Sequence, residues 1–590
     1  MPFQLSPGVI FTETDLTLIV PTVATTGGGM VGAFTWGPAR EITLIESEKK
    51  LVEKFGSPAY DTEYARYWFT ASNFLKYGNN LQIVREIETD TDKTATCVAG
   101  ISSIYNEDTY LDQYASETDN GPFCAKYSGE AGNSLKVYIL DHIGITSATD
   151  STASDDYYDL IDNFDGIPGT SPWAQILTGD ANINDELHIL VVDEDGAFSG
   201  VAGTVLEKFS YLSKARNAKT QEGTSNYYKD IINNRSDYIR WLSHPTTYLT
   251  GSDADWGTDL LLTGGAFKVL DDGDTGPSNS AVYGWSLTGG VTSGVTSGTT
   301  VVEADIAAAY STYFELSEDV DVSLLVAGPL SATNANLVIE VAEARKDCVA
   351  FVSPKPTSGD YSVFDLQDAI DYRNILDSSS YGVMDSGYKL QYDNYNDRYI
   401  YVPLCADVAG CCVRTDLNQD PWYSPAGFNR GQIRNVVRLP YNPGKTDRDE
   451  LYKKGINPIV SFEGEGTVLY GDKTLLARPS AFDRINVRRL FIVLEKAIAK
   501  ASKYLLFEFN DQFTRAQFRQ LVEPYLREVQ GRRGIQDFRV VCDETNNTPQ
   551  VIDSNGFVGD IYIKPNRSIN FIQLNFIATP TGVSFDEIGA

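Results

Sequence analysis

The spacing of apolar residues changes character several times along these 590 residues. Residues 5–25 alternate in an extended style, with Leu16, Leu18 and Val20 on one side and Pro7 and Pro21 as brackets. That pattern predicts an edge strand or a free arm. A Gly-rich turn follows in "TTGGGMVGAFTWGP". "REITLIESEKKLVEKFGSP" then reads as a strand and a short amphipathic helix from Ser47. Leu51, Val52 and Phe55 face inward, and Gly56 with Pro58 stops the helix. "EYARYWFTASNFLKYGNNLQIVREI" repeats the grammar as a helix, a cap at Gly78 and the strand Leu81–Ile87.

Residues 90–185 are rich in Asp, Ser, Thr, Gly and Tyr, with short strand-like pieces such as "SLKVYIL". They predict an inserted, exterior β-rich module. From 186 the α/β pattern is expected to return with "ELHILVVDEDG", then helices near 201–217 and 225–234 and a Gly/Ser/Thr-rich excursion over 250–300. A βαβ unit follows, from the apolar strand 321–329 through the helix 332–347 to the strand 348–354. In the last 200 residues the strongest helical signal spans 480–511. At 100° per residue, Leu490, Leu494, Ala497, Ala501 and Leu505 share one side, while Arg489, Lys496, Lys500 and Lys503 form a basic stripe opposite. A second helix ends at a glycine, and strands close the chain, the final one with Ile572, Leu574 and Phe576 on one face.

The predicted fold class is therefore α+β and α/β, multidomain. The expected division is an extended arm over 1–25, a middle α/β domain from 26–89 and 186–385, an inserted outer β-rich domain over 90–185, and a C-terminal domain over 386–590. Hydrophobic content of 42% supports packed cores. No run of 18 apolar residues predicts a membrane span, and "MPFQLSP" lacks the basic-then-apolar order of a signal peptide.

Charge sharpens this division. The net charge is −32, yet residues 1–420 carry 25 Lys and Arg against 61 Asp and Glu, whereas 421–590 carry 23 against 19. The acidic part will not bind nucleic acid by charge. The Arg-rich end suits an acidic partner or another copy's acidic region.

Candidate chemistry is sparse. Gly27, Gly29 and Gly32 spell a dinucleotide fingerprint, but Gly37 and Pro38 stop any helix from opening after it. Gly444-Lys445-Thr446 ends like a phosphate loop, although the position five residues before Gly444 is Leu439. "VVDEDGAFSG" (191–200) and "DDGDTG" (271–276) lack the alternating ligand spacing of a calcium loop. Seven cysteines, with Cys405, Cys411 and Cys412 the one cluster, and three scattered histidines (His142, His188, His244) predict buried thiols rather than a metal site. No catalytic constellation, metal site or cofactor site is expected.

The chain resembles a known family, the contractile tail sheath proteins of T-even-like bacteriophages. "LSPGVIFTETD" and "GAFTWGPAREI" look like its N-terminal signature, and "VVDEDGAFSGVAGTVLEKFSYLSKARNAKTQEGTSNYYKDIIN" resembles its middle portion. The fullest likeness lies in "FDRINVRRLFIVLEKAIAKASKYLLFEFND", "LREVQGRRGIQDFRVVCDETNNTPQ" and "GDIYIKPNRSINFIQLNF". Residues 90–185 and 250–300 match poorly.

The resemblance implies a structural subunit of the virion, assembled in the host cytoplasm, and not an enzyme. Such subunits stack as six-fold rings around a tail tube, and contract from a metastable extended state when the baseplate signals, driving the tube through the host envelope to deliver the genome. The C-terminal domain would lie nearest the tube, completed by the N-terminal strand, and terminal segments would link neighbours by sharing strands. Implied partners are the chain itself, the tube protein, and baseplate and tail terminator or neck proteins, with no direct nucleic-acid contact and no membrane insertion. On this reading Arg489, Lys496, Lys500 and Lys503 face an acidic tube. Val9, Phe11, Leu16, Leu18 and Val20, with Ile572, Leu574 and Phe576, exchange strands. Two alternatives stay open: the sheath of a related device, such as an R-type bacteriocin or a secretion-system-like injector, and a nucleotide-using α/β enzyme built on 321–354.

Overall fold

A computed structural model describes residues 25–570 and Gln573, less 61, 89–90, 99, 115–119, 143–158, 251–253, 261–265, 271–281 and 293–302. The terminal strand-exchange residues Val9, Phe11, Leu16, Leu18, Val20, Ile572, Leu574 and Phe576, and the 271–276 acidic loop, lie outside the described residues. The described chain divides into two units. The smaller holds 415–425 and the residues from 478 onward; the larger holds the rest up to 477.

The larger unit is organised on a strand that the sequence reads as a turn. Gly28–Gly32 runs through a seven-stranded sheet, paired in parallel with Leu324–Val326 on one side and Leu81–Arg85 on the other. The order continues outward through Val349–Val352 and Gly382–Asp385 to Ile456–Asn457, and on the other flank ends in the antiparallel edge strand Thr43–Ile45. Glycine is demanded by close packing, not by a turn. A Cβ on Gly28 would sit 2.6 Å from the ring of Phe74, and one on Gly29 would sit 3.0 Å from both Phe314 and Leu325. Those rings belong to the helices Thr62–Leu75 and Glu303–Phe314.

Several local expectations hold here. Helix Glu48–Phe55 starts at Ser47, whose Oγ accepts the Lys50 N–H at 3.3 Å, and it ends at Gly56 with φ 75°. The βαβ unit is present as Leu324–Val326, helix Ala332–Arg345 and Val349–Val352.

Two expectations are corrected. First, the segment from 186 does not return to the parallel sheet. Glu186–Asp193 pairs antiparallel with Leu135–Leu140, then with Thr204–Ser213, and Val282–Ser286 completes a separate four-stranded sheet. The expected helix near 201–217 is thus a strand; its register shifts at Leu187/Ile189 and Val191/Val192 blur the alternation that marks a strand in sequence. The β-rich module therefore draws on residues beyond 185. Second, residues 386–414 and 426–477 belong to the larger unit rather than to a C-terminal domain, since Ile456–Asn457 is a strand of the parallel sheet.

The β-rich module has its own core of Phe123, Leu135, Val137, Leu187, Ile189, Val191, Trp241 and Trp285, which Trp36 joins from the chain just after the central strand. His244 is packed beside Trp241, with the hydroxyls of Tyr228 and Tyr227 at 2.5 and 3.3 Å from Nδ1 and Nε2. Burial pushes its pKa down to about 4, with Lys229 adding to the effect. The unfolded chain takes up this proton near pH 6.5 and the folded chain only near 4. Stability is therefore lost as pH falls through that window, by at most about 3 kcal/mol. Denaturation midpoints measured from pH 7 to 4.5 should fall less steeply in His244→Gln than in the native chain. Equal slopes would show that His244 does not carry this acid sensitivity.

In the smaller unit, helix Ile485–Ser502 packs with helix Gln512–Gly531 and the hairpin Ile535–Val541/Asp560–Pro565. The core is Trp422, Leu490, Leu494, Phe518, Val522, Leu526, Val529 and Ile535. The expected 480–511 helix is shorter than its pattern suggested. It passes into a 3₁₀ turn at Lys503–Leu505, and Asp511 caps the next helix by accepting the Thr514 N–H at 2.8 Å. Leu505 is accordingly half-buried in the turn, whereas Leu490, Leu494, Ala497 and Ala501 are buried as expected.

Candidate functional site: interaction surfaces

The nucleotide-like features are absorbed by the fold. Gly27, Gly29 and Gly32 lie in or beside a buried strand, and the next element along the chain is the strand Thr43–Ile45 rather than a helix opening at Gly32. Lys445 and Thr446 open the helix Lys445–Lys453, but the Asp447 carboxylate accepts the Gly444 N–H at 3.2 Å and places negative charge where a phosphate would sit. In the 191–200 turn, Asp193 accepts from Phe198 N (3.0 Å), Ser199 N (2.7 Å), Ser199 Oγ (2.8 Å) and Ser134 Oγ (2.6 Å). These hydrogen bonds hold its pKa below the usual carboxylate value despite the opposing effect of burial. Asp193 serves as the staple of its own loop.

A ligand of an open α/β sheet sits outside the carboxyl ends of its strands. Here that position is filled by the chain itself. Tyr310 Oη donates to Val326 O at 2.5 Å and Tyr372 Oη to Leu330 O at 3.0 Å. Lys355 Nζ meets Glu303 Oε1 at 2.6 Å, Arg66 stacks over Tyr361 at 3.9 Å, and Tyr361 packs on Tyr388. Ser353 Oγ donates to Asp385 at 2.6 Å and accepts the Cys405 N–H at 2.8 Å. Burial lifts the Asp385 carboxyl to about 8 and the Cys405 and Cys411 thiols to about 12. Thiols so raised stay protonated and are poor nucleophiles or metal ligands.

The basic stripe does not survive as one surface. Arg489 is buried, and its guanidinium holds Asp416 through two bonds of 2.8 and 2.5 Å. Lys496 is half-buried, while Lys500 and Lys503 are exposed. A helical projection puts the four at similar angles but ignores position along the axis, and the 415–425 segment pairs with the stripe's first member. The structure therefore brings three lysines, not four basic residues, to the later turns of this helix and the 3₁₀ turn that follows it.

Two further surfaces escaped the sequence reading. One is the Ile535–Val541/Asp560–Pro565 hairpin, which has no third strand among the described residues. The other is the connection after Ser502, where large apolar side chains face outward. Its signal was present in Asn510-Asp511, a helix-start pair inside an otherwise apolar periodic run.

Comparison with known proteins gives this arrangement its meaning. Residues 28–85 match the tail sheath protein Gp18 domain III N-terminal region, 304–475 the phage tail sheath protein central domain, and 477–579 the phage tail sheath C-terminal domain. The tail sheath proteins of Vibrio phage KVP40 and Enterobacteria phage T4 are each 33% identical to this chain, with 99% of both chains covered. The chain belongs to the phage tail sheath protein family.

The sheath protein is a structural subunit of a phage tail, a component of the virion and not an enzyme. A solved sheath tail protein from Desulfitobacterium hafniense shares the fold, at 12% identity and TM-score 0.51 over 95% of this chain and 100% of that one. A second, from Listeria innocua, is also 12% identical with TM-score 0.51, over 92% and 96%. The three matched family stretches leave 86–303 between them, the interval that holds the four-stranded antiparallel sheet of the β-rich module.

Proposed function

We propose that this sheath subunit polymerises head-to-tail as stacked six-fold rings around a tail tube, and that neighbours hold one another by exchanging β-strands. The observation that carries the proposal is the smaller unit's hairpin. A two-stranded sheet is marginal alone and its open edges are templates for pairing. The strand-forming terminal segments, with Val9, Phe11, Leu16, Leu18 and Val20 at one end and Ile572, Leu574 and Phe576 at the other, supply alternating side chains to fix register. A contact of this kind that does not close on itself builds a helical cylinder. Contraction is relaxation of that cylinder from a kinetically trapped lattice, with flexible links surviving a rigid-body rearrangement.

On this reading the unit containing 478–570 is the one that meets the tube. The subunit assembles in the host cytoplasm and works with the tube, the baseplate and the terminator or neck proteins to deliver the genome. Lys496, Lys500 and Lys503 face an acidic tube, and Arg489 supports them from within by fixing the helix to Asp416. The double substitution K500E/K503E should leave the monomer folded but prevent sheaths from forming on tubes, as judged by electron microscopy. Normal sheaths on tubes would remove the lysines from the interface.

A further inference from the structure

The connection between helices Ile485–Ser502 and Gln512–Gly531 carries four large apolar side chains that the fold leaves outside, and the first turn of the second helix adds a fifth, Phe513. Tyr504, Leu506, Phe507, Phe509 and Phe513 show relative exposures of 71, 62, 105, 83 and 76%. Isolated apolar residues on a surface are ordinary, but five within ten positions mark a binding surface. Phe507 also takes φ 69°, a region costly for a bulky side chain, and its ring is wholly presented to the exterior.

The base of this finger is firmly built. Asn510 Nδ2 donates to Gly556 O at 2.7 Å, and Arg515 returns bonds to Asn510 Oδ1 and O at 2.8 and 3.2 Å. The Asp511 N–H is bonded to Phe509 O at 2.9 Å. A rigid base with apolar rings at its tip is the arrangement of a preorganised anchor, since little ordering entropy remains to be lost on binding.

We infer that this aromatic finger is the anchor that fixes the subunit to the tail tube, and that the tube offers it an apolar groove inside an acidic rim. The inference rests on the proposed tube contact of the lysines. What selects the occupant is charge: Lys500 and Lys503 flank the finger and are exposed, so the surface it enters is complementary when acidic around an apolar centre. The lysines steer and orient, and the rings hold. Salt separates the two contributions, because it screens exposed charge but does not weaken apolar burial.

The test uses the full-length subunit and tubes assembled from the tube protein encoded alongside it, with binding measured at low and at high salt. F507A/F509A is expected to lose about 100-fold or more of its affinity at both salts, as central aromatic anchors do. Its melting temperature should match the native chain, because both rings are already outside the core. Phe507→Ser alone gives a smaller loss in the same direction. K500E/K503E is expected to lose affinity mainly at low salt. If F507A/F509A binds tubes normally while K500E/K503E does not, the tube contact stands and the finger is not its anchor. Normal binding by both overturns the tube contact as well. If F507A/F509A keeps its tube affinity but fails to form sheaths, a second copy or a terminal segment of this chain occupies the finger, and the inference is overturned. A fall in the melting temperature of F507A/F509A would likewise overturn it, by showing that the rings serve the fold.

Discussion

Deletion of residues 1–20 is expected to give a folded, soluble monomer that forms no sheath at any concentration. The segment removed carries Leu16, Leu18 and Val20 in strand alternation between Pro7 and Pro21, so it can pair along one edge without propagating further. Its proposed acceptor is the Ile535–Val541/Asp560–Pro565 hairpin of a neighbouring copy, one side of which rests on the helix Gln512–Gly531 while Arg539, Tyr562 and Lys564 face outward. Strand addition draws its affinity from main-chain hydrogen bonds, so loss of the donor strand removes the whole contact rather than one side chain's share of it. The cores described above are contacts among residues 36–287 and 422–542, and they are expected to form without the deleted segment. The truncated chain's circular dichroism should therefore match the native chain, and sedimentation should show one small species. Sheaths of native appearance from the truncated chain would end the strand-exchange proposal.

What could be read from the sequence followed the range over which each signal acts. The βαβ unit at 321–354 was legible within about three residues, because buried parallel strands are unbroken apolar runs and the intervening helix has no competing period. The buried face of Ile485–Ser502 was legible for the same reason. Gly28–Gly32 was not, since its glycines answer to Phe74 and Phe314, rings set far along the chain, while the local signal of three consecutive glycines is that of a turn. Arg489 was misplaced because angle about a helix says nothing of what packs at each level along it. The aromatic finger was hidden by its own hydrophobicity: apolar residues at helical spacing imply a buried face, and only the Asn510-Asp511 cap shows that the helix has already ended.

The largest stability effect should come from a residue that no motif marks. Arg85 ends the strand Leu81–Arg85 and is wholly buried. Its Nε, Nη1 and Nη2 donate to the carbonyls of Phe34 (2.8 Å), Gly37 (2.7 Å) and Ser128 (2.9 Å). Burial lowers its pKa to about 10, partly offset by the nearby Asp92, so it remains charged at neutral pH. One guanidinium thus ties the chain leaving the central strand to the start of the β-rich module, at the level where Trp36 enters that module's core. Replacing it with methionine fills most of the volume but strands three buried carbonyl oxygens, each costing about 1–3 kcal/mol. Losses of roughly 3–5 kcal/mol follow once partial relaxation is allowed, which corresponds to a melting temperature lower by roughly 3–5 °C for a unit as large as this one. Arg85→Lys keeps the charge but has one nitrogen where three are used, so it should recover less than half of the loss. Calorimetry on Arg85→Met, Arg85→Lys and the native chain decides the matter. If Arg85→Met melts within about 2 °C of native, water or a shifted loop satisfies those carbonyls and the guanidinium is not the tie.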